Sequence, residues 1–220
     1  MNYRFTNRTG GVSTGAFESL NLGTHVGDNL EDVLSNRALA SESGEQIQFM
    51  NQVHGNRVVI IETFTDSDPT ADALVTGIPG ISLAVQVADC IPLLLASKEV
   101  VAAVHVGRKG LVNEVALRAI DVMREMGAQA ISAIIGPAIC GTCYEVSEEI
   151  FEEVAAAHPQ ARSRTRTGTP SLDLPKALIA QLEAIDVAVV NESICTLENQ
   201  SLFSYRRDGI TGRQAGIITL

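Results

Sequence analysis

The chain has 220 residues, 45% of them hydrophobic and 19% charged, which is enough to bury a sizeable core and excludes long disordered spans. A formal net charge of −10 argues against a broad nucleic-acid surface, which needs clustered Lys and Arg. No apolar run reaches the roughly 18 residues that span a bilayer, and the amino terminus lacks the apolar core of a signal peptide. One cytoplasmic domain over residues 1–220 is expected, binding neither nucleic acid nor membrane.

Asn7 to Gly15 is rich in turn formers. Gly10-Gly11 would let backbone amides approach an anion beside Arg8, although a plain surface loop explains the same residues. A helix is predicted from an N-cap at Asp28 or Asn29, with Val33, Leu34, Ala38 and Leu39 as its apolar side and a stop at Gly44. His54 falls on a loop before a strand over Arg57 to Glu62, and another strand begins at Ala71.

Ile81 to Gly110 reads as three apolar strands, roughly Ile81 to Val87, Ile91 to Ala96 and Val100 to Val106. Folding the last two about Ser97-Lys98-Glu99 sets Ile91 roughly opposite His105, which brings Cys90 beside that imidazole. Cross-strand neighbours lie about 5 Å apart, so a thiolate and an imidazole would meet at one end of a sheet. Alone, either residue is more simply a small or satisfied core side chain; sharing one hairpin end favours chemistry.

An amphipathic helix is predicted over Val112 to Met126. Its approach, Gly107-Arg108-Lys109-Gly110, reads either as an anion seat or as a turn with solvated charges. Cys140-Gly-Thr-Cys143 follows a strand ending at Ile135 and allows a redox pair or half of a zinc knuckle. No second Cys pair completes that knuckle, and a plain turn needs no chemistry from its cysteines. A helix is predicted from about Ser147 to Pro159, then a polar connecting segment over Gln160 to Ser171. A further helix runs from an Asp173 N-cap to about Ile185, followed by strands near Val187 to Val190, Leu202 to Tyr205 and Ala215 to Thr219.

With these loops read, the chain resembles the YfiH family, also called the multicopper-polyphenol-oxidase-like or domain-of-unknown-function 152 family. The carrying motifs are RTGGVS, LNLGTHVGD, NQVHG, ADALVT, VADCIPLLLA, AAVHVG, GPAI with YEV, and SYRRDGITGR, which together cover nearly all of the sequence. The resemblance implies an α+β fold, a mixed-sheet α/β/β/α layered sandwich. It also implies His54, Cys90 and His105 as metal ligands and catalytic residues, with zinc as the metal and copper as the alternative. The match departs at Arg108-Lys109, where family members commonly carry Trp-Arg.

The implied activity is phosphorolysis of adenosine, inosine, guanosine and methylthioadenosine, with adenosine deamination, so purine nucleoside and phosphate are the expected partners. Two imidazoles and a thiolate leave a fourth zinc position open, as catalytic sites do. Phosphate needs cations and backbone amides, for which Arg8, Arg108 and Lys109 are the candidates. No histidine begins an H-x-E deaminase signature. A copper oxidase is the alternative suggested by the family's older name, but four histidines cannot build both a blue-copper centre and a trinuclear cluster. A metal-free hydrolase using Cys90 and His105 is the other.

Overall fold

The structure is a computed structural model describing residues 2–42 and 44–220. In chain order it comprises β1 (Asn2–Phe5), α1 (Leu30–Ala40), β2 (Gln46–Gln48), β3 (Val58–Ile60), β4 (Ala73–Thr76), β5 (Ile81–Val87), β6 (Ile91–Ala96) and β7 (Val101–Val106). These are followed by α2 (Arg108–Val112), α3 (Val115–Glu125), β8 (Ser132–Ile135), α4 (Glu148–Ala157), β9 (Arg162–Arg164), β10 (Pro170–Leu172), α5 (Leu174–Glu183), β11 (Ala188–Asn191), α6 (Tyr205–Asp208) and β12 (Gln214–Thr219). A four-stranded sheet has the order β1-β12-β5-β2, and a six-stranded mixed sheet the order β11-β8-β6-β7-β4-β3.

The two large sheets pack face to face over Leu74, Leu83, Val85, Leu94, Ala103, Ile134 and Ile218. Helices α3 and α5 cover the far side of the six-stranded sheet through Ala119, Ile120, Met123, Leu178 and Leu182. Leu20, Leu22 and Phe49, with Ala40 of α1, cover Ala84 and Ile217 on the far side of the other sheet. The result is the layered α/β sandwich of the YfiH-like type. Strands β5, β6 and β7 are buried at every position because both of their faces are covered, which is why they read as unbroken apolar runs rather than as alternating ones.

Several local expectations are corrected. On α1 the buried positions are Val33 and Asn36, while Leu34 and Leu39 are exposed. Asn36 is placed inside by hydrogen bonds: it accepts from the Val12 amide and donates to Ser13 Oγ and the carbonyls of Ser19 and Asn21. The helix also stops at Ala40, before Gly44. The helix predicted over Val112 to Met126 is two helices, interrupted at Glu114, whose φ is 58°. Finally, Gln160 to Ser171 closes as the β9–β10 hairpin, and Leu202 to Tyr205 leads into α6 instead of forming a strand.

A candidate metal centre in a cationic pocket

Strand β5 belongs to one large sheet and β6 to the other, so Ala88-Asp89-Cys90 carries the chain across the sandwich. Asp89 makes the sharp turn with φ 100°, a conformation costly for a residue with a Cβ unless its surroundings hold it. In the β6–β7 pair Pro92 faces His105, one residue on from the expected register, which still leaves Cys90 at the shared end. His54 arrives from the β2–β3 loop with φ 58°.

The structure brings all three together. Their ligand atoms lie within 4.8 Å of one another, with Cys90 Sγ 4.0 Å from His54 Nε2 and the two imidazoles edge to face at 4.7 Å between centroids. Zinc bonds of roughly 2.0–2.3 Å at tetrahedral angles put ligand atoms about 3.5 Å apart, so a small contraction would satisfy a cation. The donor set therefore fits zinc with one open position. Gly107 makes the approach possible: a Cβ there would lie 2.9 Å from Cys90 Sγ and 3.3 Å from His54 Cδ2.

Asp72, fully buried at the start of β4, holds two of the three side chains in place. Its carboxylate accepts the amides of Val53, His54 and Gly55 at 3.3, 2.9 and 2.7 Å and accepts His105 Nδ1 at 2.9 Å. That bond keeps a proton on Nδ1 and turns Nε2 toward the cluster, where it would ligate once a cation displaces its own proton, as a carboxylate behind a ligating histidine arranges. Burial pushes the Asp72 carboxyl up, but the His105 bond and the loop amides more than offset it and hold it below the usual range.

Burial also opposes charge on Cys90 and His105, and their mutual attraction outweighs it. The Cys90 thiol falls to about 6 against burial, through the His105 charge and hydrogen bonds from both imidazoles. The His105 imidazole rises to about 9 against burial, through the Cys90 thiolate and the Asp72 bond. The sulfur is consequently a thiolate at neutral pH, the form that attacks or ligates.

These residues form the floor of a pocket of about 370 Å³, also lined by His25, Gln52, Gln86, Asp89, Tyr144, Tyr205, Arg206 and Arg213. Asp89 organises one wall: it accepts from Thr196 Oγ1 at 2.6 Å, Ser204 Oγ at 2.7 Å and the Arg206 amide at 2.6 Å. The segment holding α6 is thereby fixed over the site. The Arg206 guanidinium lies 5.0 Å from the centre of the Tyr144 ring and donates to the Glu145 carbonyl at 2.7 Å. Arg213 donates to the carbonyls of Thr211 and Gly212, both at 2.9 Å. Among the described residues neither arginine pairs with a carboxylate.

Two further wall groups bear on chemistry. Gln86 is 2% exposed and its Oε1 has no hydrogen-bond partner among the described residues, although Gln52 occupies the Gln86 backbone on both sides at 2.8 Å. An unpartnered buried acceptor costs about 1–3 kcal/mol, which a ligand N–H or O–H would recover once the side chain turns that atom into the cavity. His25 is held below the ordinary imidazole range by burial and then by the charge of Arg213, so it stands neutral at the rim.

The other predicted anion ligands lie elsewhere. Arg8 stacks 4.9 Å from the Phe203 ring and donates to the Glu18 carbonyl at 2.8 Å. Arg108 faces Glu153 at 4.0 Å and neighbours Tyr144, while Lys109 is exposed on the short helix α2; none of the three lines the pocket. Asp72, Asp89, His25 and Gln52 are the site residues that residue-by-residue reading missed, while Arg206 and Arg213 end the arginine-rich loop RRDGITGR, which by sequence reads as facing either the site or the solvent and here lines the pocket. Each stands inside one of the quoted motifs, so the signal lay in the motifs and not in any spacing.

A layered α/β sandwich with a His2Cys cluster at the crossover between its sheets defines the class. The chain belongs to the family described as multi-copper polyphenol oxidoreductase laccase, whose model matches residues 2–220, and it is a YfiH-like member. Purine nucleoside phosphorylase SCO2081 of Streptomyces coelicolor is 46% identical over 229 residues, covering 99% of this chain and 95% of that protein. Purine nucleoside phosphorylase Rv2149c of Mycobacterium tuberculosis is 43% identical over 224 residues, covering 97% and 89%. Among solved structures, Neisseria meningitidis protein NMB0706 superposes with a TM-score of 0.91 at 36% identity, covering 99% of this chain and 93% of that one.

Proposed function

We propose that the protein is a zinc-dependent purine nucleoside phosphorylase acting on adenosine, inosine, guanosine and methylthioadenosine, with adenosine deaminase activity. The observation that carries the reading is the conjunction, in one pocket, of two arginines that have no carboxylate partner and a buried Gln86 acceptor that has no donor, among the described residues, together with the His54, Cys90, His105 cluster. The relatives named as purine nucleoside phosphorylases cover nearly the whole chain, which supports the same conclusion.

In this reading Arg206 and Arg213 hold phosphate, since unpaired guanidinium groups bind its oxygens with strong charge-assisted bonds. Phosphate attacks the sugar carbon C1′ and the bond to the purine nitrogen breaks, giving the sugar 1-phosphate and the free base. Tyr144 and Tyr205 supply flat walls for the ring, and Gln86 Oε1 accepts from the base or the sugar. The neutral His25 is available to carry a proton at the rim. His54, Cys90 and His105 would hold the metal, with Asp72 fixing their orientation, and a bound zinc would supply Lewis acidity at the pocket floor.

The test is nucleoside turnover by the zinc-loaded chain with and without phosphate. Base release that requires phosphate, together with ammonia from adenosine, is expected. Oxygen-dependent oxidation of phenols by a copper-loaded chain, with no nucleoside turnover, would favour the oxidase alternative. The Cys90 thiolate paired with His105 favours a second reading, a cysteine hydrolase; hydrolysis that survives complete metal removal would select it.

A further inference from the structure

Outside the pocket, two tight turns carry metal-ligating side chains toward one point. In the first, Cys140 to Cys143, the Cys143 and Tyr144 amides both donate to the Cys140 carbonyl, at 3.0 and 3.1 Å. In the second, Cys195 to Glu198, the Asn199 amide closes on the Cys195 carbonyl at 3.1 Å. A parallel bridge between Ala138 and Cys195 docks the turns side by side. The ligand atoms of Cys140, Cys143, Cys195 and Glu198 all lie within 4.8 Å of one another, and Cys143 Sγ is 3.4 Å from Glu198 Oε1. That separation matches the roughly 3.5 Å between a sulfur and an oxygen ligand on tetrahedral zinc.

We propose that these four residues form a second, structural zinc site of Cys3Glu type, distinct from the His54, Cys90, His105 cluster. Sequence reading finds no second Cys pair because the other half of the knuckle is Cys195-Thr-Leu-Glu198, in which a carboxylate replaces the fourth sulfur. Three thiolates select a soft or borderline cation, and four protein ligands close the coordination shell, as structural zinc sites do. All three cysteines are free thiols. Arg166 pairs with Glu198 and supplies a positive charge beside a ligand set whose four negative charges exceed the two of the cation.

The site would brace the pocket without joining it. Tyr144 directly follows Cys143 and lines the wall, and Thr196 directly follows Cys195 and donates to Asp89. Zinc across the two turns would fix both wall residues.

The test counts zinc in protein purified under reductant, in the wild-type chain and in the variants Cys90→Ser, Cys195→Ser and Glu198→Ala. Two zinc ions per chain are expected in the wild type and one in each variant. Glu198 is the most exposed member of the cluster, so its replacement leaves a folded chain even where Cys195→Ser does not. As a second readout, Co2+ added to metal-stripped Cys90→Ser chain should give a thiolate-to-cobalt charge-transfer band, which Cys195→Ser in the same background abolishes. Zinc kept by Cys195→Ser and Glu198→Ala but lost from Cys90→Ser would overturn the proposal, as would a Cys140–Cys143 disulfide persisting in the reduced protein. Zinc lost from Cys195→Ser and Glu198→Ala alone would support this site while removing the metal from the pocket floor.

Discussion

Asp72 and His105 are joined twice: the His105 amide donates to the Asp72 carbonyl at 2.8 Å, and His105 Nδ1 donates to the Asp72 carboxylate at 2.9 Å. Because that carboxylate also accepts the Val53, His54 and Gly55 amides, one buried side chain sets the orientation of both histidines. Asp72→Asn keeps the shape but turns an NH2 group toward donors that need an acceptor. The expected result is a loss of zinc affinity at the pocket floor of about 10–100-fold, measured by chelator competition. Unchanged affinity would show that the histidines are held by packing alone.

Gly107 tests how closely the cluster is packed. In Gly107→Ala the new methyl meets Cys90 Sγ at 2.9 Å, and neither the β6 end nor the β7 end can retreat, since both strands are buried on both faces. The variant should lose pocket-floor zinc and about 1–3 kcal/mol of stability, the usual cost of overpacking. Chemical denaturation with metal analysis checks both; wild-type zinc content would mean that the sulfur moves aside freely.

The central strands and the Cys90–His105 pairing were legible in the sequence because continuous apolar runs separated by polar breaks have few readings. The Asp173 N-cap of α5 was also legible, its carboxylate accepting the Lys176 amide at 2.9 Å, since capping is a local effect. What periodicity could not reveal was which sheet each strand joins: β5 and β6 adjoin in sequence but lie in different sheets. The pocket wall depends on that crossover. Arg206 reaches the site because Asp89 holds its amide across 117 residues, and no local pattern predicts such a bond. On α1, the apolar positions Leu34 and Leu39 misled because a hydrogen-bonded asparagine took the inner face.

Acid should weaken the four-stranded sheet through Glu45. Burial pushes its carboxyl up, but hydrogen bonds from Arg4, Ser82 and the Glu42 amide more than offset this and hold it below the usual 4.5. A carboxyl depressed in the folded state contributes stability above its unfolded pKa and loses it as pH falls through the folded value. The stabilisation should therefore be complete above about pH 4.5 and fade below it. Glu45→Gln should be less stable than wild type at neutral pH by about 1–3 kcal/mol, with the gap narrowing on acidification. A gap independent of pH would assign the loss to packing.

The remaining prediction separates the arginines that line the pocket from the cations that only sequence position favoured. Arg206 and Arg213 face the cavity without carboxylate partners among the described residues, whereas Arg8 is spent on Phe203 and the Glu18 carbonyl. Lys109 projects from α2 outside the pocket. A charge-assisted bond contributes about 1.5–3 kcal/mol, and 1.4 kcal/mol is a factor of ten. Arg213→Ala should accordingly raise the phosphate KM at least roughly tenfold with little change in the nucleoside KM, and Arg206→Ala should raise both because Arg206 also stacks on Tyr144. Arg8→Ala and Lys109→Ala should leave the phosphate KM within about twofold, since neither reaches the cavity and exposed charges this far off are screened. Equal effects from all four variants in phosphate titrations would mean that the summed field of scattered cations, and not two placed guanidinium groups, gathers the anion.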